Sequence, residues 1–89
     1  MKAVVTVMGK DRTGIIAQVS TLLAEHNVNI LDITQTILQD IFTMVMLVDI
    51  KNSSVEFKPL SDKLSALGDK LGLEIRIQHE DIFNSMHRI

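Results

Sequence analysis

Residues 2–8, KAVVTVM, are β-branched and nearly all apolar, the pattern of a central strand, β1, covered on at least one face. The period then lengthens. From Gly14 to His26 the residues Ile15, Ile16, Val19, Leu22 and Leu23 fall at i, i+1, i+4, i+7 and i+8, the stripe of an amphipathic helix, α1, lying on a sheet. Asp11 or Thr13 is placed to accept a bond from the unpaired N–H groups of its first turn, and Asn27, tolerant of left-handed geometry, marks its end. Residues 28–39, VNILDITQTILQ, read as a strand, β2, whose apolar phase slips between Ile30 and Ile33, so a bulge is expected there. In 41–50, IFTMVMLVDI, strand β3 puts Phe42, Met44, Met46, Val48 and Ile50 on one face and Ile41, Thr43, Val45, Leu47 and Asp49 on the other. Gln39-Asp40 makes the tight hairpin between them.

After the polar break Lys51-Asn52-Ser53-Ser54, Ser53 and Glu56 have the spacing of a capping box. Leu60, Leu64, Leu67 and Leu71 repeat at helical spacing, with Gly72 as the stop of this helix, α2. Pro59 either begins the helix proper or distorts its first turn. Leu73, Ile75, Ile77 and His79 alternate with Glu74, Arg76 and Gln78, an edge strand, β4, with one buried and one wet face. The tail, DIFNSMHRI, has Ile82, Phe83, Met86 and Ile89 at helical spacing and is too short to stand alone, so it must pack on something.

The order β-α-β-β-α-β predicts an α+β, ferredoxin-like sandwich: one four-stranded antiparallel sheet with both helices on one face. Residues 1–79 form the domain, and 80–89 a short helical tail packing on it or on a partner subunit. If the even positions of β3 face the helices, Ile41, Thr43, Val45 and Leu47 lie on the open face, a patch that favours self-association.

Composition narrows the function. With 89 residues, 46% of them hydrophobic, the chain supports one small globular core. It has no cysteine, which excludes disulfides and thiolate chemistry, and no apolar run long enough to span a bilayer or serve as a signal peptide, so the cytoplasm is the expected compartment. A net charge of −2 without a basic block argues against nucleic acid.

The chemistry concentrates in Met8-Gly9-Lys10-Asp11-Arg12-Thr13-Gly14-Ile15-Ile16, between β1 and α1. A helix N-terminus behind a glycine-containing loop offers N–H groups and the positive end of the helix dipole to a carboxylate or phosphate. Lys10 and Arg12 add positive charge, and Asp11 caps the helix or meets a ligand's ammonium group, so the loop could hold a zwitterion. The spacing of its glycines matches neither a Walker loop nor a dinucleotide fingerprint, and a plain β–α connection is an equal reading.

This stretch, continued as GKDRTGIIAQVSTLLAEHNVNI, resembles the first β-α-β unit of ACT domains such as those of the glycine cleavage repressor and formyltetrahydrofolate deformylase. There a Gly-x-Asp-Arg-x-Gly-Ile loop precedes a helix and then Asn-Ile on β2. The whole chain looks like a small stand-alone ACT-domain protein. The resemblance implies a regulatory module, a homodimer or larger, that binds an amino acid or similar effector at a subunit interface. The loop positions it implies are Gly9, Lys10, Asp11, Arg12, Thr13, Gly14 and Ile15, with Asn29 and Ile30 on a neighbour's β2 closing the site. ACT domains are commonly attached to the enzyme or DNA-binding domain they regulate, so the output of this chain is expected to pass through a partner protein.

Other chemistries fare less well. His79, Glu80, Asp81 and His87 lie within nine residues, but not at a spacing that sets two ligands on one helical face, and they read as surface residues anchoring the tail, with no metal expected. His26 reads as a favourable charge at a helix C-terminus. No nucleophile–base pair or paired carboxylates can be read, so neither a catalytic residue nor a cofactor is expected. Acylphosphatases share the topology and use an arginine in the corresponding loop, which keeps an enzyme reading for Arg12, but their asparagine before β3 is replaced by Gln39 and Asp40. RNA-recognition domains need aromatics on the open sheet face, whereas Phe42 belongs to the apolar phase of β3. The five methionines read as core filler. A regulatory binding module leads, with an interaction scaffold without ligand as its alternative.

Overall fold

The computed structural model describes residues 1–10 and 12–86. Its elements run β1 (Lys2–Lys10), α1 (Ile15–Glu25), β2 (Asn29–Leu38), β3 (Ile41–Asp49), α2 (Phe57–Leu71), β4 (Leu73–His79) and α3 (Glu80–Met86). The strands form one antiparallel sheet in the order β2-β3-β1-β4, the ferredoxin-like arrangement expected from the element order. β1 is central and β4 is an edge, as their patterns predict; the other edge is β2.

The core lies between the sheet and the two long helices. Ala3, Val5 and Val7 of β1 pair with Val48, Met46 and Met44 of β3, so these residues project to the same side, where all six are fully buried against α1 and α2. Ile15, Val19 and Leu23 enter this layer from α1, and Leu60, Leu64 and Leu71 from α2. β4 adds Leu73, Ile75 and Ile77. On the open side lie Ile41, Thr43, Val45 and Leu47, all half-buried or exposed. α3 lies across the β1–β4 part of that side, with Phe83 half-buried and Gln78 Nε2 3.0 Å from Met86 Sδ. His87 and Ile89 of the tail lie outside the described residues.

Local signals explain most boundaries. Asn27 has φ 61, and its N–H donates to the carbonyl of Ala24 at 3.0 Å, ending α1 in left-handed geometry. His26 Nδ1 donates to the carbonyl of Leu22 at 2.8 Å, closing the same turn. The slip in β2 is a bulge: Ile30 pairs with Val48 and Asp32 with Leu47, leaving Leu31 as the extra residue. Gln39 takes φ 60, so the two-residue hairpin carries its positive φ on a non-glycine residue.

Three local expectations are corrected. Among the described residues α1 begins at Gly14 without a side-chain bond, so Thr13 does not cap it, while Asp11, the other candidate, lies outside the described residues. The Ser53–Glu56 capping box does not form; Ser53 Oγ donates to the carbonyl of Val55 at 2.8 Å, and α2 begins at Phe57. Pro59 is neither the start nor a kink: it sits in the first turn, where a backbone N–H has no intrahelical acceptor, and Leu60 N–H makes a bond to Glu56 at 3.1 Å.

Two contacts position the layers. Gly68 of α2 rests on β4: a Cβ there would lie 2.7 Å from the carbonyl oxygen of Leu73 and 3.2 Å from Ile75. At the far end of the sheet Asp49 accepts the backbone N–H of Lys51 at 2.9 Å and faces the chain's amino terminus at 3.5 Å. That backbone bond chiefly, with help from the terminal charge and Lys51, holds the Asp49 carboxyl below the usual carboxylate range.

Gly68→Ala is therefore expected to destabilise the fold by about 1–3 kcal/mol through overpacking, although alanine is the better helix former. Denaturant unfolding reads it, and an unchanged or raised midpoint would contradict the close approach. Asp49→Asn gives a pH signature. The folded pKa is depressed, so the carboxylate's contribution is complete above its unfolded pKa and is lost as pH falls through the folded one. Thermal melts should show wild type above the variant near neutrality and the two converging in acid; a difference independent of pH would contradict this.

Candidate functional site

Between the N-terminus of α1 and the uncovered helix side of β2 lies an open cleft of about 530 Å³, lined by Arg12, Gly14, Ile15, Ile16, Ala17, Gln35, Ile37 and Phe42. Local sequence builds it. Gly14 has φ +92, a conformation that side-chain-bearing residues rarely adopt, and this turns the chain from the loop into the helix. The first backbone bond of the helix runs from Gln18 N–H to the Gly14 carbonyl at 3.0 Å, so the N–H groups of Ile15, Ile16 and Ala17 precede the helical ladder. Among the described residues no side chain caps them and no acidic residue stands in the first turn. The positive end of the α1 dipole faces the cleft, with no compensating carboxylate there among the described residues.

The opposite wall follows from the hairpin. A two-residue turn sets Leu38 against Ile41, hence Ile37 against Phe42 and Gln35 against Met44, all three pairs in register. Phe42 and Met44 are core residues, so Ile37 and Gln35 project to the same side of the sheet as the helices. Neither is covered there: Ile37 is 53% exposed. Among the described residues the cleft therefore combines unpaired backbone donors and one guanidinium with an apolar wall and one carboxamide.

The residues singled out in the sequence divide. Arg12, Gly14 and Ile15 line the cleft. Ile15 brings only its backbone, because its side chain is buried in the core. Arg12 is exposed, but its Nη1 donates to the carbonyl of Leu71 at 3.1 Å, tying the loop to the C-terminal end of α2, where a cation is favoured. Gly9 has a packing reason: a Cβ would lie 2.5 Å from Leu73 Cδ2, so the glycine admits β4 rather than a ligand. Lys10 ends β1 and Thr13 precedes the helix, both exposed, and Asp11 lies outside the described residues.

Asn29 and Ile30 are not brought to the cleft within one chain. Asn29 pairs with Asp49, which pairs with Lys2, whereas the loop begins beyond Gly9; the separation along β1 is about 23 Å at ~3.3 Å per residue. Their pairings with Asp49 and Val48 also place the two residues on opposite faces of the sheet. Gln35, Ile37, Ile16, Ala17 and Phe42 were missed, although the Gln39-Asp40 hairpin, followed through its register, points to Gln35 and Ile37.

Elsewhere, His79 stacks on Phe57 with ring centroids 4.1 Å apart, packing the end of β4 against α2. Among the described residues no group of three or more His, Asp or Glu side chains is placed to hold a metal ion, and no helix is long and apolar enough to cross a membrane.

Known proteins give this geometry its context. The model of the ACT domain family matches residues 2–78. A UPF0237 protein of Methanocaldococcus jannaschii is 54% identical over 88 residues, spanning 99% of this chain and 98% of that protein. An ACT domain protein from Streptococcus pneumoniae superposes with a TM-score of 0.81 at 43% identity, covering 93% of each chain. A putative glycine cleavage system transcriptional repressor is similar over 86% of this chain and 44% of its own, with 26% identity and a TM-score of 0.73. With the family model covering nearly its whole length, the chain belongs to the ACT domain family.

Proposed function

We propose that this chain is a regulatory module that senses an amino acid or similar small effector at the α1–β2 cleft and passes the signal to a partner protein. The observation that carries the reading is the uncapped first turn of α1. The N–H groups of Ile15, Ile16 and Ala17 stand beside an open apolar wall with no described carboxylate to satisfy them. An effector carboxylate accepts from these donors and meets the positive helix end, and Arg12 adds charge at the rim. An apolar side chain of the effector packs on Ile16 and Ile37, and Gln35 offers both a donor and an acceptor to a polar group. The cleft is open on the β2 side, where a second copy of the chain closes it. Kinship with a glycine cleavage repressor supports a role in regulation, and no constellation of nucleophile and base favours an enzyme.

The test is a thermal-shift panel of the twenty amino acids. An effector at about a hundred times its Kd adds about 2.7 kcal/mol, which raises Tm by roughly 10 °C or more in a domain this small. The expected result is a shift with one amino acid or a small related set, reduced in Gln35→Leu and Arg12→Ala. Silence across the panel would overturn the amino acid reading in favour of an interaction scaffold.

A further inference from the structure

We propose that Met86 is a reversible oxidation site, and that its conversion to the sulfoxide releases α3 from the open face of the sheet. The site lies away from the α1–β2 cleft and does not depend on the effector reading.

The five methionines fall into two groups. Met44 and Met46 are fully buried between the sheet and the helices, the core filler that the sequence suggests. Met1, Met8 and Met86 are exposed, Met8 by 47% and Met86 by 63%. Met1 stands beside Asp49, at the start of β1. Met8 and Met86 instead share one place. With Thr6, Val45, Gln78 and Phe83 they line an open cavity of about 460 Å³ between α3 and the sheet.

The docking of α3 depends on this layer. The helix is seven residues long, too short to be stable without packing, and none of its described residues is fully buried. Phe83 is half-buried at the cavity wall, and one turn further on Gln78 Nε2 of β4 donates to Met86 Sδ at 3.0 Å. A thioether is a weak acceptor and otherwise an apolar group, so Met86 joins the helix to the sheet by packing and by a bond that tolerates little change.

Oxidation alters both. The sulfur gives an electron pair to one oxygen of hydrogen peroxide; an S–O bond forms as the O–O bond breaks, and the second oxygen leaves with both hydrogens as water. The thioether is oxidised, the peroxide is reduced, and a flexible apolar side chain becomes polar and chiral. At 3.0 Å there is no room for an oxygen between Met86 Sδ and Gln78 Nε2, so addition on that side drives the sulfur away from β4. Addition on the other side leaves a polar, hydrated oxygen on a side chain that packs by apolar contact. Release of α3 uncovers Met8 and Val45, so the state of one sulfur sets how much apolar surface the open face presents. The exposure of Met86 also admits the repair reaction, in which two thiols become a disulfide, the sulfoxide oxygen leaves as water and the thioether is restored.

Chymotrypsin cleavage after Phe83 in the full chain reads the docking, because the bond is shielded while the ring is packed and becomes accessible when α3 leaves the sheet. Brief treatment with hydrogen peroxide is expected to add one oxygen to Met86 before Met44 or Met46, read by peptide mass, and to speed this cleavage several-fold. Met86→Leu, close in size and without sulfur, is expected to be cleaved slowly before and after peroxide. Met86→Gln, which carries a polar oxygen, is expected to be cleaved fast without it. The two methionine sulfoxide reductases, one for each epimer, are expected to return the oxidised wild type to the slow rate with dithiothreitol as the thiol. Cleavage unchanged after full conversion of Met86 would overturn the proposal. Equal acceleration of Met86→Leu by peroxide would also overturn it, by moving the effect to Met8.

Discussion

The close approach of α2 to β4 at Gly68 sets where the helix layer sits on the sheet. With no Cβ at that position, the helix backbone comes down on the Leu73 carbonyl and Ile75, and α2 lies over the edge strand rather than over the middle of the sheet. α1 packs beside α2, and together they bury the helix-facing residues of β1, β3 and β4. The layer reaches β2 only in part: Ile30 packs against the core, and the strand beyond the bulge is left uncovered. Its helix-side residues Ile33, Gln35 and Ile37 have the alternation of a core strand but the exposure of a surface one. The cleft follows from this partial cover, since helices lying over Gln35 and Ile37 would have filled it, whereas the unpaired edge follows from the strand order, which leaves β2 outermost.

The β1–α1 loop depends on the same arrangement. Gly9 admits Leu73 against β1, and Arg12 reaches across to the carbonyl of Leu71, so the loop is braced on both sides by the α2–β4 junction. Gly14 then turns the chain in left-handed geometry and delivers the first turn of α1 without a side-chain cap among the described residues. Residues that read as a grip for a ligand thus divide: Gly9 and Arg12 hold the loop in place, and Gly14 and Ile15 line the cleft together with Ile16 and Ala17. Arg12 also stands at the rim of the cleft, so its substitution acts on the brace as well as on the charge.

Much of the fold was legible because its signals are periodic and local. The alternation of β3 named Phe42, Met44, Met46 and Val48 as core, the phase slip in β2 located the bulge at Leu31, and Asn27 marked the end of α1. Capping was less legible: Ser53 and Glu56 have the spacing of a box, but Ser53 is engaged locally with Val55, and the helix starts later. The site was legible only on its loop side. Gln35 and Ile37 look like unremarkable strand residues, and what makes them lining residues is the lateral placement of α1 and α2, which no pattern within β2 encodes. Asn29, read as a contribution of a neighbour's β2, lies within one chain at the end of the strand away from the cleft.

Amide hydrogen exchange across β2 tests most directly whether the displaced helix layer leaves this strand for a second copy. The account predicts that the outward-facing amides of Asp32–Leu38 slow markedly as protein concentration rises, while the core strands β1 and β3 stay protected at every concentration. Exchange along β2 that remains fast and independent of concentration would contradict it.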